Sequence, residues 1–216
     1  MTLKKSEATR TAIIQSAKQN FYQLGYKKTT ISKIFNDIDI PAGVFTYYFK
    51  KKDLLVNAIY EEFFDAIEKR IIELYPTLKE PSLLKQMVLS KIYYDIILND
   101  ENNARFYFEV IENDSNYRVN RSITSPIHKN YIDEFHLSLT NEQFEIICIM
   151  NAGARREFFM HYFSEEMHLS AYEVSDYLES IIPLLMHINI DAINGAMLQS
   201  AKIAKTIDIC DLHFLI

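Results

Sequence analysis

Apolar residues recur every three or four positions along most of the chain, which is the period of an amphipathic helix. In the first such stretch, Ile13, Ala17 and Phe21 share one face. Gly25 follows them, and glycine readily adopts the left-handed backbone conformation that ends a helix. The pattern predicts a first helix from about residue 6 to residue 24.

Two shorter patterns predict a second and a third helix. The hydroxyl of Thr29 or Thr30 is placed to accept a hydrogen bond from the first turn of the second helix. The third helix begins near Pro41 and buries Phe45 and Phe49. The buried face of the second helix consists of Ile31, Ile34, Phe35 and Ile38. Three helices of this length predict a compact head.

Longer amphipathic patterns fill the rest of the chain. A fourth helix is predicted from Asp53 to Tyr75, because Pro76 disfavours helix in the residue before it. Fifth and sixth helices follow Pro81, and a turn-rich break is expected at residues 113–116. The fourth helix should join the head to a larger helical body.

Two capping boxes mark the start of later helices. Thr140 precedes Gln143 by three positions, and Ser170 precedes Glu173 by the same interval. In such a pair each side chain bonds the backbone N–H of the other residue. Helices should therefore begin directly after Thr140 and Ser170.

The ends of these helices are predicted from where the apolar period stops. The first should run to about Phe163 and the second to Ile190, with a bend at Pro183. A last helix and an apolar tail at residues 212–216 follow. Only four glycines and five prolines occur in 216 residues, and 49% of residues are hydrophobic. The sequence predicts an all-α protein of about nine or ten helices.

The charges of the chain are unevenly distributed. Residues 1–56 contain ten cationic and four anionic side chains, so the predicted head has a net charge of +6 within a chain whose total is −6. Such segregation favours a basic head that meets phosphates and an acidic body that does not. Solvated surface charge is the alternative for any single run.

Sequence features also indicate the compartment. Cys148 and Cys210 lie far apart, and we expect both to be buried thiols in a reducing cytosol. The longest apolar stretch, at residues 181–186, is far shorter than the ~20 residues of a membrane span. We therefore expect a soluble, cytoplasmic protein with no membrane partner.

Known catalytic and metal-binding patterns do not occur in the sequence. None of the six histidines lies in a His-Glu-x-x-His arrangement, and no glycine-rich phosphate loop is found. We therefore expect no enzyme, no metal and no cofactor. An enzyme that uses His161 with Glu157, four residues apart, is a remote alternative.

Three motifs in fixed order give the chain a family resemblance over about residues 9–60. They are Phe-x-x-x-Gly-Tyr from Phe21, Thr-Thr-Ile-x-x-Ile from Thr29, and Gly-x-Phe-x-x-Tyr-Phe-x-x-Lys-Asp-Leu-Leu from Gly43. The sequence resembles the N-terminal DNA-binding domain of the TetR family of bacterial transcriptional regulators. The resemblance implies a helix-turn-helix domain at residues 1–52, with the helix-turn-helix itself at about 30–49. Residues 53–216 would be the ligand-binding and dimerisation domain.

Phosphate and base contacts must be distinguished, because phosphates position a protein on DNA and base edges select the sequence. Lys27, Lys28, Lys50 and Lys51 would add to the positive field. For Tyr48, packing beside Phe49 is an equal alternative to contact. With the resemblance, the expected phosphate contacts are Thr29, Thr30, Tyr47, Tyr48 and Lys52.

Base reading would fall to Ala42, Gly43, Val44 and Thr46 on the short third helix. These small residues fit thymine methyl groups and close backbone approach rather than bidentate hydrogen bonding. Close packing of helices is the alternative role for Gly43. The chain departs from the family pattern at residues 38–41, where Asp39 or Pro41 would replace the usual serine cap, and at Thr46.

The resemblance also implies partners for the body. Two copies would pair through their last long helices, and residues 151–154 and the stripe from Val174 to Leu185 fit that role; packing within one subunit is the alternative. A small effector would bind among aromatic residues that otherwise form plain core. The expected function is a repressor released from double-stranded operator DNA by a small apolar or aromatic ligand. The alternative is a helical sensor whose degenerate head lacks specific operator binding.

Overall fold

The computed structural model describes residues 3–79, 82–113, 116–164 and 167–216. Within these ranges it contains ten α-helices and no strand, which confirms the predicted all-α class. Short 3-10 turns occur at Ala42–Val44 and Pro76–Lys79. The helices are α1 (Leu3–Lys28), α2 (Ile31–Asn36), α3 (Phe45–Tyr48), α4 (Lys52–Leu74), α5 (Ser82–Leu98), α6 (Glu101–Glu112), α7 (Asn116–Glu134), α8 (Asn141–Tyr162), α9 (Ala171–Leu185) and α10 (Ile190–Ala204).

The head is formed by α1, α2 and α3. α1 is interrupted at Gly25, whose φ of 79° is left-handed, as predicted from the sequence. Thr30 caps α2 by accepting from the Lys33 N–H at 3.2 Å. Ser16 on α1 donates to the Ile34 carbonyl at 2.8 Å, and this buried bond fixes α2 against α1. The rings of Phe35 and Phe45 meet edge to face at 5.6 Å and hold α3 on the same core.

The turn between α2 and α3 departs from the expected capping. The N–H of Ile40 bonds the Phe35 carbonyl and the N–H of Asp39 bonds the Asn36 carbonyl, which is a Schellman ending of α2. Asp39 takes the left-handed position, with φ of 49°. It therefore ends α2 rather than capping α3, and the N-cap of α3, Val44, makes no side-chain capping bond.

The body is built around α5, which packs against α4, α6, α7, α9 and α10. Nearly all of its side chains from Leu83 to Tyr94 are buried. The predicted start of α8 after Thr140 and of α9 after Ser170 is confirmed, and both capping boxes are formed. The body core is continuous with that of the head.

Residues 205–216 follow α10 and return along the body to α4; we call them the return segment. Phe214 is fully buried, with its ring 5.0 Å from those of Tyr60 and Phe63 on α4 and 5.7 Å from that of Phe106 on α6. The apolar tail predicted at residues 212–216 is thus part of the core.

Several boundaries differ from the sequence expectation. α9 ends at Leu185, two residues after Pro183, and does not continue through a bend to Ile190. α7 runs through Pro126. Pro81 and residues 114–115, at which breaks were predicted, lie outside the described residues.

The two cysteines differ in exposure. Cys148 is buried as predicted, but the prediction for Cys210 was wrong because this thiol is exposed. The neighbouring Asp208 raises the pKa of the Cys210 thiol by accepting its hydrogen bond. Cys210 lies in the return segment between two exposed aspartates, Asp208 and Asp211.

Candidate nucleic-acid interface

The turn into α3 presents small and polar groups on the surface of the head. Gly43, Thr46 and Tyr47 are exposed. A Cβ atom added at Gly43 would meet no other atom within 4 Å, so Gly43 does not serve close packing of helices within the chain. The Thr46 hydroxyl donates to the Gly43 carbonyl at 3.1 Å and braces the turn. This surface is therefore open to close approach by a partner molecule.

Val44 and the two tyrosines adjoin this surface. Val44 is half-buried and packs on the core of the head. The side chain of Ala42 lies outside the described part of the structure. Tyr47 is 75% exposed, whereas Tyr48 is half-buried and its hydroxyl has no hydrogen-bond partner among the described residues. The two rings meet edge to face at 5.0 Å, so Tyr48 supports Tyr47.

The two threonines before α2 have different environments. Thr30 is exposed at the N-cap. Thr29 is only 1% exposed, and its hydroxyl donates to the carbonyls of Gly25 and Asn20 at 2.7 and 3.1 Å. Thr29 therefore joins α2 to α1 from inside the head, and its side chain is not presented on the surface.

Lys52 also points inward. Its ammonium donates to the Tyr26 carbonyl and lies 3.8 Å from the centre of the Tyr26 ring and 5.6 Å from that of Phe21. Burial lowers the pKa of Lys52 to about 8, against the opposing charges of Glu109 and Asp53. A cation bonded to a carbonyl and held on aromatic faces stabilises the joint between α1 and α4.

The other lysines of the head divide into two groups. Lys28, Lys50 and Lys51 are exposed near the ends of α1 and α3. Lys27 instead pairs with Glu112 on α6, with Nζ and Oε2 2.5 Å apart. The positive field expected on the head thus comes from the first group, and Lys27 contributes to contact with the body.

α1 and α6 form the main joint between head and body. The Tyr22 hydroxyl donates to Asp100 at 3.0 Å, and Arg105 donates to the Tyr22 carbonyl at 2.6 Å. The backbone N–H of Lys27 donates to Glu109 at 2.7 Å. Sequence analysis missed these contacts, because the partners are some 80 residues apart and follow no local pattern.

Gly25 lies at the closest point of this joint. A Cβ atom there would fall 2.6 Å from a carboxylate oxygen of Glu109. The positive φ of this position favours glycine, and a side chain there would also have to displace the Glu109 carboxylate.

A polar network is buried in the body. Arg155 on α8 donates to Glu179 on α9 at 2.8 Å and to the Tyr94 hydroxyl at 3.0 Å. Gln86 and Ser90 of α5 donate to the same Glu179 carboxylate at 3.2 and 3.0 Å. Burial opposes both charges, yet Glu179 raises the pKa of Arg155 and Arg155 lowers the pKa of Glu179. The network fixes three helices of the body relative to one another.

Aromatic rings surround this network. Phe159 lies 5.7 Å from Tyr94 and 5.0 Å from Tyr107, and Tyr93 lies 5.7 Å from Phe63. Burial lowers the pKa of the neighbouring His128 to about 4. The centre of the body is therefore rich in aromatic faces with a few buried polar groups, a composition typical of small-molecule sites.

The structure also bears on three other roles, namely catalysis, metal binding and a membrane span. His161 and Glu157 form an exposed pair on α8, with Nε2 and Oε1 3.3 Å apart. Among the described residues, no three His, Cys, Asp or Glu side chains converge as metal ligands. The part of the chain that the structure describes also has no helix of the length and hydropathy that a membrane span requires.

Comparisons with known proteins agree with this geometry. The model of the family "Bacterial regulatory proteins, tetR family" matches residues 13–59. The probable HTH-type transcriptional regulator YttP of Bacillus subtilis (strain 168) is 23% identical over 145 residues, which are 66% of this chain and 69% of that protein. The crystal structure of RolR in complex with the ligand resorcinol has a TM-score of 0.62 over 91% of this chain and 96% of that chain, at 14% identity.

These likenesses cover different parts of the molecule. The family match falls on the three motifs of the head and on the start of α4, and the structural likeness extends the shared all-α fold to the body. Residues 13–59, which hold the helix-turn-helix of the head, are thus similar to the TetR family of bacterial regulatory proteins.

Proposed function

We propose that the protein is a DNA-binding transcriptional regulator, a repressor that a small apolar or aromatic ligand releases from its operator. The observation that carries this proposal is the open surface of Gly43, Thr46 and Tyr47 at the start of α3. In a helix-turn-helix this element enters the major groove. The exposed lysines of the head, Lys28, Lys50 and Lys51, supply the charge that phosphates require.

The contacts divide between phosphates and bases. We assign phosphates to Thr30, Tyr47, Lys50 and Lys51, which are exposed. Base edges fall to Gly43, Val44 and Thr46, with Ala42 beside them in sequence. Thr29, Tyr48 and Lys52 act from within the head, where they fix the surface that meets DNA. The head then comprises residues 1–52 and the body comprises residues 53–216.

The protein should act as a homodimer, because one head contacts too few bases to define an operator. α8 exposes Ile146, Ile149 and Met150, and α9 exposes Tyr177 and Leu184. Gly153 on α8 is also open, with no atom within 4 Å of an added Cβ. Large exposed apolar groups grouped on neighbouring helices are typical of an interface between copies. The buried residues of the α9 stripe, in contrast, pack within the subunit.

The effector should bind in the body and act through α6. Its aromatic centre suits a small aromatic ligand, and the structural relative RolR was crystallised with resorcinol. A ligand shifts a conformational equilibrium only by binding one state more tightly than the other. α6 contacts both this centre, through Tyr107, and the head, through Glu109 and Glu112. A shift of α6 would therefore move the head.

One observation favours the alternative function, a sensor whose head has lost specific DNA binding. Two side chains expected to contact phosphates, Thr29 and Lys52, are bonded inside the head. The exposed face of α3 and the exposed lysines favour the regulator.

Selection of duplexes from a random library by the purified protein, followed by footprinting, separates the two functions. We expect one recurring sequence with two half-sites and affinity that falls steeply with salt. Retention of duplexes without any shared sequence would instead support the sensor.

Three variants then test the division of contacts. Lys51→Ala should weaken binding to selected and random duplexes alike and reduce the salt slope by about one. Thr46→Ala should change the preference among selected duplexes. Lys202→Ala removes an exposed lysine on α10 and is the matched control. It should leave both the affinity and the preference among duplexes unchanged. Equal effects of Lys51→Ala and Thr46→Ala on both kinds of duplex would contradict the division.

A further inference from the structure

The return segment is held against α4 by both polar and apolar contacts. Arg70 on α4 donates to the Asp208 carbonyl at 2.5 Å and to the Asp211 carboxylate at 2.6 Å. The hydroxyls of Tyr75 and Thr206 share a hydrogen bond of 2.5 Å. The buried side chains of the segment are Ile207, Leu212, Phe214 and Leu215.

Phe214 begins a series of ring contacts that ends in the DNA-binding head. Its ring meets Phe106 on α6 at 5.7 Å, and Phe106 meets Phe21 on α1 at 4.8 Å. Phe21 in turn packs beside Tyr26 at 6.1 Å, over which the Lys52 ammonium lies. The segment therefore touches both helices that join the head to the body, and it does so at the level of the head.

We propose that the return segment is an internal strap that sets the position of the head relative to the body. When docked, it holds α4 and α6 together through Phe214 and keeps α1 in the orientation that operator binding needs. When undocked, the head gains freedom of movement relative to the body. This role rests on the proposed DNA-binding function and adds a control point away from both DNA and the effector.

Geometry explains why such a strap would affect DNA binding. Two heads of a dimer must match two half-sites at a fixed spacing, so each head must be held in a narrow range of positions. A mobile head loses conformational entropy when it binds DNA. This loss is smaller when the docked strap already holds the head in place. A single half-site imposes no such constraint, since only one head has to bind.

The test compares Phe214→Leu with Phe144→Leu. Both phenylalanines are fully buried, but Phe144 lies on α8 away from the series of rings. The probes are a selected duplex with two half-sites and a duplex with one. We expect Phe214→Leu to weaken binding to the paired half-sites about tenfold, or about 1.4 kcal/mol, and to the single half-site less than about twofold. Phe144→Leu should leave the ratio of the two affinities unchanged.

Equal loss of binding in both variants, or no change in that ratio for Phe214→Leu, would overturn the strap. If Phe214→Leu fails to fold, Asp211→Asn removes an exposed charge that anchors the segment and should change the ratio in the same direction.

Amide hydrogen exchange gives a readout that does not depend on DNA. The segment 22–28 at the end of α1 should exchange faster in Phe214→Leu than in Phe144→Leu. If the wild-type protein selected no duplex, the proposed function would fail, yet the exchange rates would still show whether the strap holds the head. Equal exchange rates in the two variants would contradict the strap directly.

Discussion

At the scale of single residues, the head uses a lysine as part of its core. Lys52 holds its ammonium against two aromatic rings and a backbone carbonyl, where it is partly shielded from water. Partial removal from water disfavours the charged form, which explains why its pKa falls from 10.5 to about 8. The residue is thus a titratable element of the joint between α1 and α4.

The pH dependence of the free energy of unfolding should reveal the lowered pKa of Lys52. The folded state releases the Lys52 proton near pH 8 and the unfolded state near pH 10.5, so the unfolded state binds more protons between these values. The free energy of unfolding should therefore rise between pH 8 and 10.5 relative to Lys52→Met. Urea titrations across this range measure the difference. Lys51→Met, at an exposed neighbour, keeps Lys52 and is the control, so it should show the same rise as the wild-type protein.

Asp39 gives a second prediction at this scale. It adopts φ of 49°, a conformation that L-residues adopt at a cost and glycine adopts freely. Asp39→Gly should raise the free energy of unfolding by up to about 1 kcal/mol, as measured by urea titration. Asn36→Gly, on the last residue of α2, should lower it. Destabilisation by both substitutions would contradict a strained turn.

The family motifs predicted which positions matter in the head but not the direction of each side chain. Thr29 and Thr30 are adjacent and chemically identical, yet only Thr30 reaches the surface. The difference arises because the chain resumes helix after Gly25 and turns Thr29 toward α1. Such a direction depends on packing between helices, which a local pattern does not contain.

At the scale of elements, helix starts were easier to predict than helix ends. The capping boxes at Thr140 and Ser170 are local and were formed as predicted. The ends of α2, α7 and α9 are Schellman turns with Asp39, His136 and His187 at the left-handed position. None of these residues is glycine, so the sequence lacked the usual stop signal.

The capping box of α9 should contribute measurably to stability. Ser170→Ala removes the acceptor for the Glu173 N–H, now 3.3 Å away, and should lower the free energy of unfolding by about 1 kcal/mol. Ser180→Ala, on the same helix, is the control because its hydroxyl only donates to the Tyr177 carbonyl one turn back. Equal losses in the two variants, by chemical denaturation, would argue against a specific cap.

At the scale of the whole molecule, α5 organises the body, and the outer faces of α8 and α9 present exposed apolar side chains. The sequence predicted the number of helices and the basic head, because both follow from composition and period. It did not predict that α6 and the return segment meet the head, because those contacts join distant parts of the chain.

The dimer surface can be tested with a charge. Ile149→Asp on α8 should convert the proposed dimer to a monomer, because an unpaired carboxylate would be buried at its interface. Sedimentation velocity or light scattering would measure the mass. Leu74→Asp places the same charge on an equally exposed leucine at the end of α4 and should leave the dimer intact. If the protein with Ile149→Asp is still a dimer, this face is not the dimer interface.

The contact between Gly25 and Glu109 has a genetic consequence. Any side chain at position 25 would be strained by the positive φ and would displace the Glu109 carboxylate from the Lys27 N–H, which weakens the joint between α1 and α6 without an effector being present. A screen for strains in which the controlled promoter is permanently active should then return substitutions of this glycine, which touches neither the duplex nor the inducer.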